Sequence, residues 1–283
     1  MRMSLLDNLT KVVKFVFLGV SLLAVIYPIL CMIFSSFAPD RLLFSGFLLP
    51  FSTLQLTFRH YHEVLVKTYF IKWYLNSLIV AGLCVAINIP LASMIAYVAT
   101  RYSVRYRPLA LFGPFSLFLY MIPGVVLALP LSLLFGYLGL FDNLVGLALA
   151  DSTFALPLSL WILWGHFTNV PRDLEEAAMV DGASPWQIWL RIILPVSRPV
   201  LTAVGIFAFI VVWLDYLFAL ALIRTEANYP IALGINWLVR EYSFTWGELM
   251  AAATLMSIPS FIIGVLAFKY LLRGFEMVSK GVR

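Results

Sequence analysis

The stretch NVPRDLEEAAMVDGASPWQIWLRIILP, residues 169–195, is a polar segment between two long apolar runs. Its first half predicts a short helix. Pro171 suits the first position of this helix, because a backbone N–H at that position has no helical partner and proline lacks the N–H. The carboxylates of Asp173, Glu175 and Glu176 lie near the positive end of the helix dipole, where negative charge is stabilising. The segment is therefore expected to begin with a short acidic helix.

The second half of the segment predicts a turn and another helix. Gly182 fits the left-handed residue that ends many helices. Ser184 and Gln187 are three residues apart, which is the spacing of a capping box. Pro185 suits the first position of this second helix. Pro195 is expected to end this second helix.

The two predicted helices differ in their side chains. Ala177 and Ala178 leave little bulk on the first helix, so another surface could approach its backbone closely. Trp189, Ile192 and Ile193 have the spacing of one apolar helix face, which suits packing along the membrane or against the chain's own bundle. The first helix is therefore expected to project as a small docking knob.

The composition identifies the class of protein. Of the 283 residues, 63% are hydrophobic and 12% are charged, against about 45–50% and about 25% in soluble domains. This surplus excludes a soluble enzyme, a secreted disulfide scaffold and a disordered chain. The net charge is +5 without a run of five basic residues, so no nucleic-acid partner is expected. Cys31 and Cys84 lie in apolar runs and predict neither a disulfide nor a metal site.

Six apolar runs are each long enough for a membrane-spanning helix of about 20 residues. The runs cover residues 15–34, 73–100, 108–141, 152–170, 199–223 and 249–268. The third run is long enough for a helix and an additional interfacial segment. They are continuous and lack the alternation of β-barrel strands. The first run is too long for the apolar part of a signal peptide and predicts a retained anchor. The sequence predicts an all-α polytopic membrane protein with six transmembrane helices.

The basic residues predict the orientation in the membrane. Thirteen of the 19 Lys and Arg residues fall on the side of the N-terminus, and the other six fall on the opposite side. Basic residues mark cytoplasmic segments. Both termini and the segments around 101–107 and 171–198 are therefore expected to be cytoplasmic, in a bacterial-type inner membrane.

A family resemblance lies in this same polar segment. Glu176-Ala177-Ala178, Gly182 four residues later, and Ile192-x-Leu194-Pro195 have the complete spacing of the EAA loop of ATP-binding-cassette importer permeases. The segment also stands where that family has it, between the fourth and fifth of six spans. The chain therefore resembles a permease subunit of a binding-protein-dependent importer.

Further motifs resemble the carbohydrate subgroup, in particular the second permease of maltose-type transporters. The resemblance covers residues 70–281 and rests on these motifs: Asn76-Ser77, Ala96-Tyr97 with Arg101, Asp181-Gly182-Ala183, Trp213-Leu214-Asp215-Tyr216, Trp246-Gly247-Glu248, Ala251-Ala252, Pro259 and the tail from Gly274 to Gly281. Leu214 stands where members more often have Asn. The resemblance implies the type I importer fold, with a core of five helices and an extra N-terminal helix.

The resemblance also implies a domain organisation. Residues 1–14 would be the cytoplasmic N-terminus, 15–36 the first transmembrane helix and 37–72 an extracytoplasmic loop. Residues 73–272 would be the permease core, including the EAA loop at 169–198, and 273–283 a cytoplasmic tail.

In such importers two permeases form the pathway, an ATPase dimer lies on the cytoplasmic side, and an extracytoplasmic solute-binding protein delivers the substrate. The resemblance implies that Glu176 pairs with a basic group of the ATPase. The residues implied in ATPase coupling are Glu175, Glu176, Ala177, Ala178, Asp181, Gly182, Ile192, Leu194 and Pro195. The chain has no phosphate-binding Gly-x-x-x-x-Gly-Lys-Ser/Thr motif, so it is expected not to be an enzyme. It would bind no cofactor, because ATP and Mg²⁺ belong to the partner ATPase.

Several polar and aromatic residues inside the runs are candidates for the substrate pathway. Asp215 is a costly carboxylate within a span, which predicts either a pathway residue or a hydrogen-bonding partner. Trp213 and Tyr216 could stack on a sugar, although aromatic residues in such helices usually pack or mark the interface. Asn88 more often bonds a neighbouring helix than a substrate.

The expected function is import of a sugar or sugar derivative. A polyol, glycerol phosphate or another small polar solute is the alternative within the class, because the EAA loop reports coupling and not cargo. A secondary transporter would need intramembrane ionisable pairs, whereas only Asp215 stands well within a run. A membrane scaffold would not dock an ATPase.

Overall fold

The computed structural model describes residues 2–43, 56–103, 105–241 and 245–280. No strand occurs in these residues, which confirms the prediction of an all-α protein. Parts of the predicted loop at 37–72 and of the tail at 273–283, including Gly281, lie outside the described residues. The α-helices are α1 Arg2–Phe37, α2 Asp40–Leu43, α3 Arg59–Lys67, α4 Phe70–Arg101, α5 Phe112–Tyr120, α6 Gly124–Tyr137, α7 Leu144–Asn169, α8 Asp173–Val180, α9 Pro185–Ile188, α10 Leu194–Val196, α11 Arg198–Trp213, α12 Leu217–Leu222, α13 Ile231–Glu241 and α14 Trp246–Lys280.

Four helices among the described residues are long and apolar enough to cross a membrane on their own. They are Thr10–Phe37, Phe70–Arg101, Leu144–Asn169 and Trp246–Ala267. Two further pairs of helices pass the same test but are bent, by 97° between α5 and α6 and by 80° between α10 and α11. The described chain thus has four spans, or up to six if each bent pair is one span.

The bends change what the apolar runs alone predicted. The run at 108–141 is two helices that meet at Pro123, whose φ of −60° and ψ of 131° stop the helix before α6. The run at 199–223 is interrupted at residues 214–216 between α11 and α12. The length of the run at 108–141 allowed for a helix and an interfacial segment, but the length of the run at 199–223 did not reveal the break at residues 214–216.

The chain divides into two compact units. The first comprises Met1–Phe70 and Trp237–Ser257. Within it, His60 on α3 is buried and its Nε2 lies 3.0 Å from the carbonyl oxygen of Ala38. A Cβ added to Gly247 would overlap the same imidazole, so this glycine permits the close approach.

The second unit comprises Ile71–Asn236 and Ile258–Arg283. Its centre is α7, which packs against α5 and α11. Gly113 on α5 lies against the Trp164 indole so closely that a Cβ would overlap the ring. Similarly, Gly205 on α11 faces Ile89 of α4. Small residues at these crossings let the helix backbones approach, as is usual in membrane bundles.

The motif Asn76-Ser77 at the start of α4 fixes the segment between α12 and α13. Asn76 donates from Nδ2 to the carbonyl oxygens of Ala227 and Tyr229, at 2.9 and 3.0 Å. Ser77 Oγ accepts a bond of 2.7 Å from the backbone N–H of Ile231. The bond to Ser77 pairs an N–H that α13 leaves open at its start, and the bonds from Asn76 hold the residues before it.

Candidate functional site

The helix α8 and the turn after it are the candidate docking site. The helix begins at Asp173, two residues after Pro171, so the prediction that Pro171 takes the first helical position was wrong. Gly182 has a φ of +83°, which confirms the predicted left-handed turn. The predicted capping box is also present, because Ser184 N donates to Gln187 Oε1 at 2.8 Å and Gln187 N donates to Ser184 Oγ at 3.4 Å.

A buried ion pair attaches α8 to the end of α4. Arg101 Nε lies 2.5 Å from Glu175 Oε1, and the two side chains are only 8% and 5% exposed. Tyr97 donates from its hydroxyl to Glu175 Oε2 at 2.9 Å. Because both carboxylate oxygens are occupied, Glu175 holds the helix on the bundle and is not available to a partner protein.

The same arginine also joins the end of α7. Its Nη1 and Nη2 atoms donate to the carbonyl oxygens of Phe167 and Val170, at 2.9 and 3.2 Å. Those carbonyls belong to the last turn of α7 and the residue after it, and the carbonyl of Phe167 also accepts the N–H of Val170 at 3.3 Å. Arg101 therefore connects α4, α7 and α8 with one planar guanidinium.

The opposite side of α8 is open. Glu176, Ala177 and Asp181 are exposed, and Ala178 is half-buried. Val180 at the tip is 88% exposed. The carboxylates of Glu176 and Asp181, a nearly flat backbone surface and an apolar tip thus face away from the rest of the unit. Such a surface can contact a cleft that contains a basic side chain and an apolar floor.

The segment after the turn is packed into the bundle. Ile188, Trp189 and Ile193 are buried with residues of α4 and α7, and Ile192 and Leu194 pack at the edge of this cluster. The helical backbone passes through one π-helical turn, Trp189–Ile193, and continues beyond half-buried Pro195 to Val196. The prediction that Pro195 ends the helix was therefore wrong.

The bend after this segment is at Ser197, between α10 and α11. Ser197 is fully buried, and its Oγ lies 3.0 Å from His166 Nε2 on α7. This contact fixes the position at which the helical segment after Gly182 turns into the bundle.

The pathway candidates separate into different environments. Asp215 lies in the break before α12 and accepts three backbone N–H bonds, from Leu217 at 3.2 Å, Phe218 at 3.3 Å and Ala219 at 3.0 Å. It therefore stabilises the start of α12, where the N–H groups have no helical partner. Its side chain also lines a cavity.

The two aromatic candidates behave differently from each other. Trp213 is 1% exposed and stacks on Phe209, with ring centroids 5.8 Å apart. It is a packing residue in this arrangement. Tyr216 lines the same cavity as Asp215, and its hydroxyl donates to Asn236 Oδ1 at 3.4 Å.

Asn88 lies on α4, fully buried, and neither its Nδ2 nor its Oδ1 has a hydrogen-bond partner among the described residues. It does not line the cavity that contains Asp215. Asp151 does line it, and sequence reasoning missed this residue. The fourth apolar run begins after Asp151 because this residue is charged, whereas α7 begins at Leu144 and includes Asp151 as a buried residue. Asp215 is thus not the only carboxylate inside a span.

Comparison with known proteins agrees with this arrangement. Residues 88–276 match the family described as binding-protein-dependent transport system inner membrane component. The chain belongs to this family. The matched residues include α8, the turn at Gly182, both cavity carboxylates and most of the described bundle.

Individual relatives of this permease support the assignment. The trehalose/maltose transport system permease protein MalG of Thermococcus litoralis is 32% identical, over 91% of this chain and 92% of that protein. The trehalose transport system permease protein SugB of Mycobacterium tuberculosis is 34% identical, over 86% and 87%. Members of the family are permease subunits rather than enzymes, and the ATPase is a separate subunit.

A solved structure has the same fold. A chain of a bacterial ABC transporter involved in the import of the acidic polysaccharide alginate superposes with a TM-score of 0.80, covering 93% of this permease and 97% of that chain. The sequence identity is 22%. The match confirms the expected importer-permease fold.

Proposed function

We propose that this permease is a translocation subunit of an ATP-driven, binding-protein-dependent importer of a sugar or sugar derivative, and that α8 transmits the motion of an ATPase dimer. The observation that carries the proposal is the asymmetry of α8. One side is fixed to the bundle through Glu175, and the other side presents Glu176, Ala177 and the tip at Val180 to solvent.

The connections of Arg101 support a lever mechanism. A force on α8 reaches Arg101 through the buried carboxylate of Glu175 and then reaches α4 and α7 together. The packed segment around Trp189 continues into the bend at Ser197 and the helix α11. Closure of the ATPases would therefore tilt three helices of the second unit as one body.

The proposed partners are a second permease, an ATPase dimer and an extracytoplasmic solute-binding protein, in a bacterial-type inner membrane. Glu176 would pair with a basic side chain of one ATPase, and Ala177 with Ala178 would allow close approach. ATP and Mg²⁺ would be bound by that ATPase alone. Both termini and α8 would be cytoplasmic, because 13 of the 19 Lys and Arg residues lie on that side of the spans.

The names of the relatives support a sugar as the cargo. Trehalose and maltose are named for the Thermococcus protein and trehalose for the Mycobacterium protein. A polyol or another small polar solute is the alternative, since the docking surface carries no information about cargo.

The test is the substitution Glu176→Lys in the complete assembly. We expect the variant to insert into the membrane at the wild-type level but to lose co-purification with the ATPase and uptake of radiolabelled maltose and trehalose. Glu63→Lys is the matched control, because it makes the same charge change on α3 and should leave both properties intact. Normal ATPase recovery and normal uptake by Glu176→Lys would contradict the proposal.

A further inference from the structure

The cavity near the break between α11 and α12 contains two carboxylates, that of buried Asp151 and that of half-buried Asp215. Its volume is about 360 Å³, within the range of small-molecule sites. It is lined by Gly124 of α6, by Asp151 and Phe154 of α7, and by residues 211 and 214–218. All of these residues belong to the second unit.

The two carboxylates differ in their hydrogen bonds. Both oxygens of Asp215 accept bonds from backbone N–H groups of α12. Asp151 is only 3% exposed, and its Oδ2 atom has no hydrogen-bond donor among the described residues. A buried carboxylate oxygen without a donor is costly, above all inside a membrane. The cavity therefore contains an unoccupied hydrogen-bond acceptor.

The other residues that line the cavity determine which kind of solute can donate a hydrogen bond to Asp151. Phe154, Tyr216 and Phe218 supply aromatic surface, which can lie against the C–H face of a sugar ring. None of the lining residues is basic, so an anionic solute would meet two carboxylates without a compensating charge. A neutral solute with several hydroxyl groups supplies the donors and avoids the repulsion.

We infer that this cavity is a solute-binding subsite for a neutral, hydroxyl-rich solute, in which Asp151 accepts hydroxyl hydrogen bonds. The inference rests on the proposed import function and narrows its cargo, because phosphorylated or carboxylated sugars are disfavoured. The subsite is separate from the docking surface. Asp151 lies 18 residues before the end of α7 at Asn169, about 27 Å along a helix that rises 1.5 Å per residue.

The first experiment measures uptake by the complete assembly, with its binding protein, in proteoliposomes. Asp151→Leu removes the acceptor, and we expect kcat/KM for maltose or trehalose to fall about tenfold or more. Asp151→Asn keeps an acceptor of the same size and should retain most of the uptake. Thr153→Ala is the control, because Thr153 lies on the same helix, is exposed and does not line the cavity.

A second measurement does not depend on uptake by a variant. The wild-type assembly is treated with dicyclohexylcarbodiimide, a hydrophobic reagent for carboxyl groups, and the modification of Asp151 is quantified by mass spectrometry. Maltose or trehalose should protect Asp151, and galacturonic acid at the same concentration should not. If Asp151→Leu fails to assemble, this protection decides the question.

The outcomes distinguish a failure of the proposed subsite from a failure of the proposed import function. If the assembly imports maltose or trehalose but Asp151→Leu matches wild type, or if galacturonic acid protects Asp151 equally well, the subsite is wrong while the import function stands. If the assembly imports no sugar, the proposed function fails and the subsite fails with it.

Discussion

The ion pair between Arg101 and Glu175 makes a quantitative prediction about α8. The substitution Glu175→Ala leaves a guanidinium that is 92% buried without its carboxylate, because only 8% of the side chain is exposed. It also removes the acceptor of the Tyr97 hydroxyl. Removing one partner of a buried pair typically costs about 3–5 kcal/mol. We expect this cost to appear as undocking of α8, since the helix has only eight residues and one buried side chain.

Hydrogen exchange measured by mass spectrometry is the suitable assay, because it detects local opening without global unfolding. A cost of about 3–5 kcal/mol corresponds to a rise of about 10²- to 10⁴-fold in the open population. The amides of residues 173–180 should therefore exchange much faster in Glu175→Ala. The matched control is Glu176→Ala, which removes an exposed carboxylate from the next position and should change exchange little.

A double-mutant cycle separates the pair from general damage to the helix. Arg101→Ala alone should also open α8, and the double variant should cost less than the sum of the two single variants. Equal exchange in Glu175→Ala and Glu176→Ala, or full additivity in the cycle, would refute the claim that this pair holds α8 in place.

Three further predictions concern stability in detergent, measured by thermal unfolding. Gly182→Ala should cost about 1–2 kcal/mol, because a φ of +83° is strained for any residue with a Cβ. Gly113→Ala should cost about 1–3 kcal/mol, because the added methyl group overlaps the Trp164 indole. Asp142→Asn should lower Tm at pH 7, and this loss should shrink as the pH falls below about 4. Burial alone would raise the pKa of Asp142, but the bonds from the Thr225 hydroxyl and from two backbone N–H groups outweigh it and lower the pKa. A carboxyl group whose pKa is lower in the folded protein stabilises the fold at pH values above its pKa in the unfolded chain, about 3.9. This contribution disappears as the pH falls through the pKa of the folded protein.

Each of these predictions has its own control. Gly19→Ala adds a methyl group on α1 where no atom lies within 4 Å, so it should not lower Tm as Gly113→Ala does. At Gly182 the space is also open, so only the backbone conformation can cause the loss. An Asp142→Asn effect that stays constant down to pH 3 would contradict the proposed role of the carboxylate.

Local features of the chain could be predicted from sequence, because they depend on neighbouring residues. Examples are the left-handed turn at Gly182 and the capping box of Ser184 and Gln187, because each involves only four or five consecutive residues. The apolar face at Trp189 also packs as its spacing predicts.

Features that depend on distant residues were not predictable from spacing. Glu175 and Arg101 are 74 residues apart, and nothing in their local sequence pairs them. The charge of Asp151 marks the boundary of an apolar run in the sequence, whereas in the structure the helix α7 extends seven residues before it. Pro195 predicts the end of its helix, but the helical backbone continues one residue beyond it, to Val196.

The central claim is that the exposed side of α8 contacts an ATPase, and site-specific photocrosslinking tests it most directly. A photoreactive phenylalanine analogue is placed at Val180, which is 88% exposed at the tip, or at Tyr137, which is 90% exposed at the end of α6. In the assembled importer, irradiation should produce an adduct of the permease with the ATPase from position 180 and none from position 137. An importing assembly that gives no ATPase adduct from position 180, or equal adducts from both positions, would contradict the account.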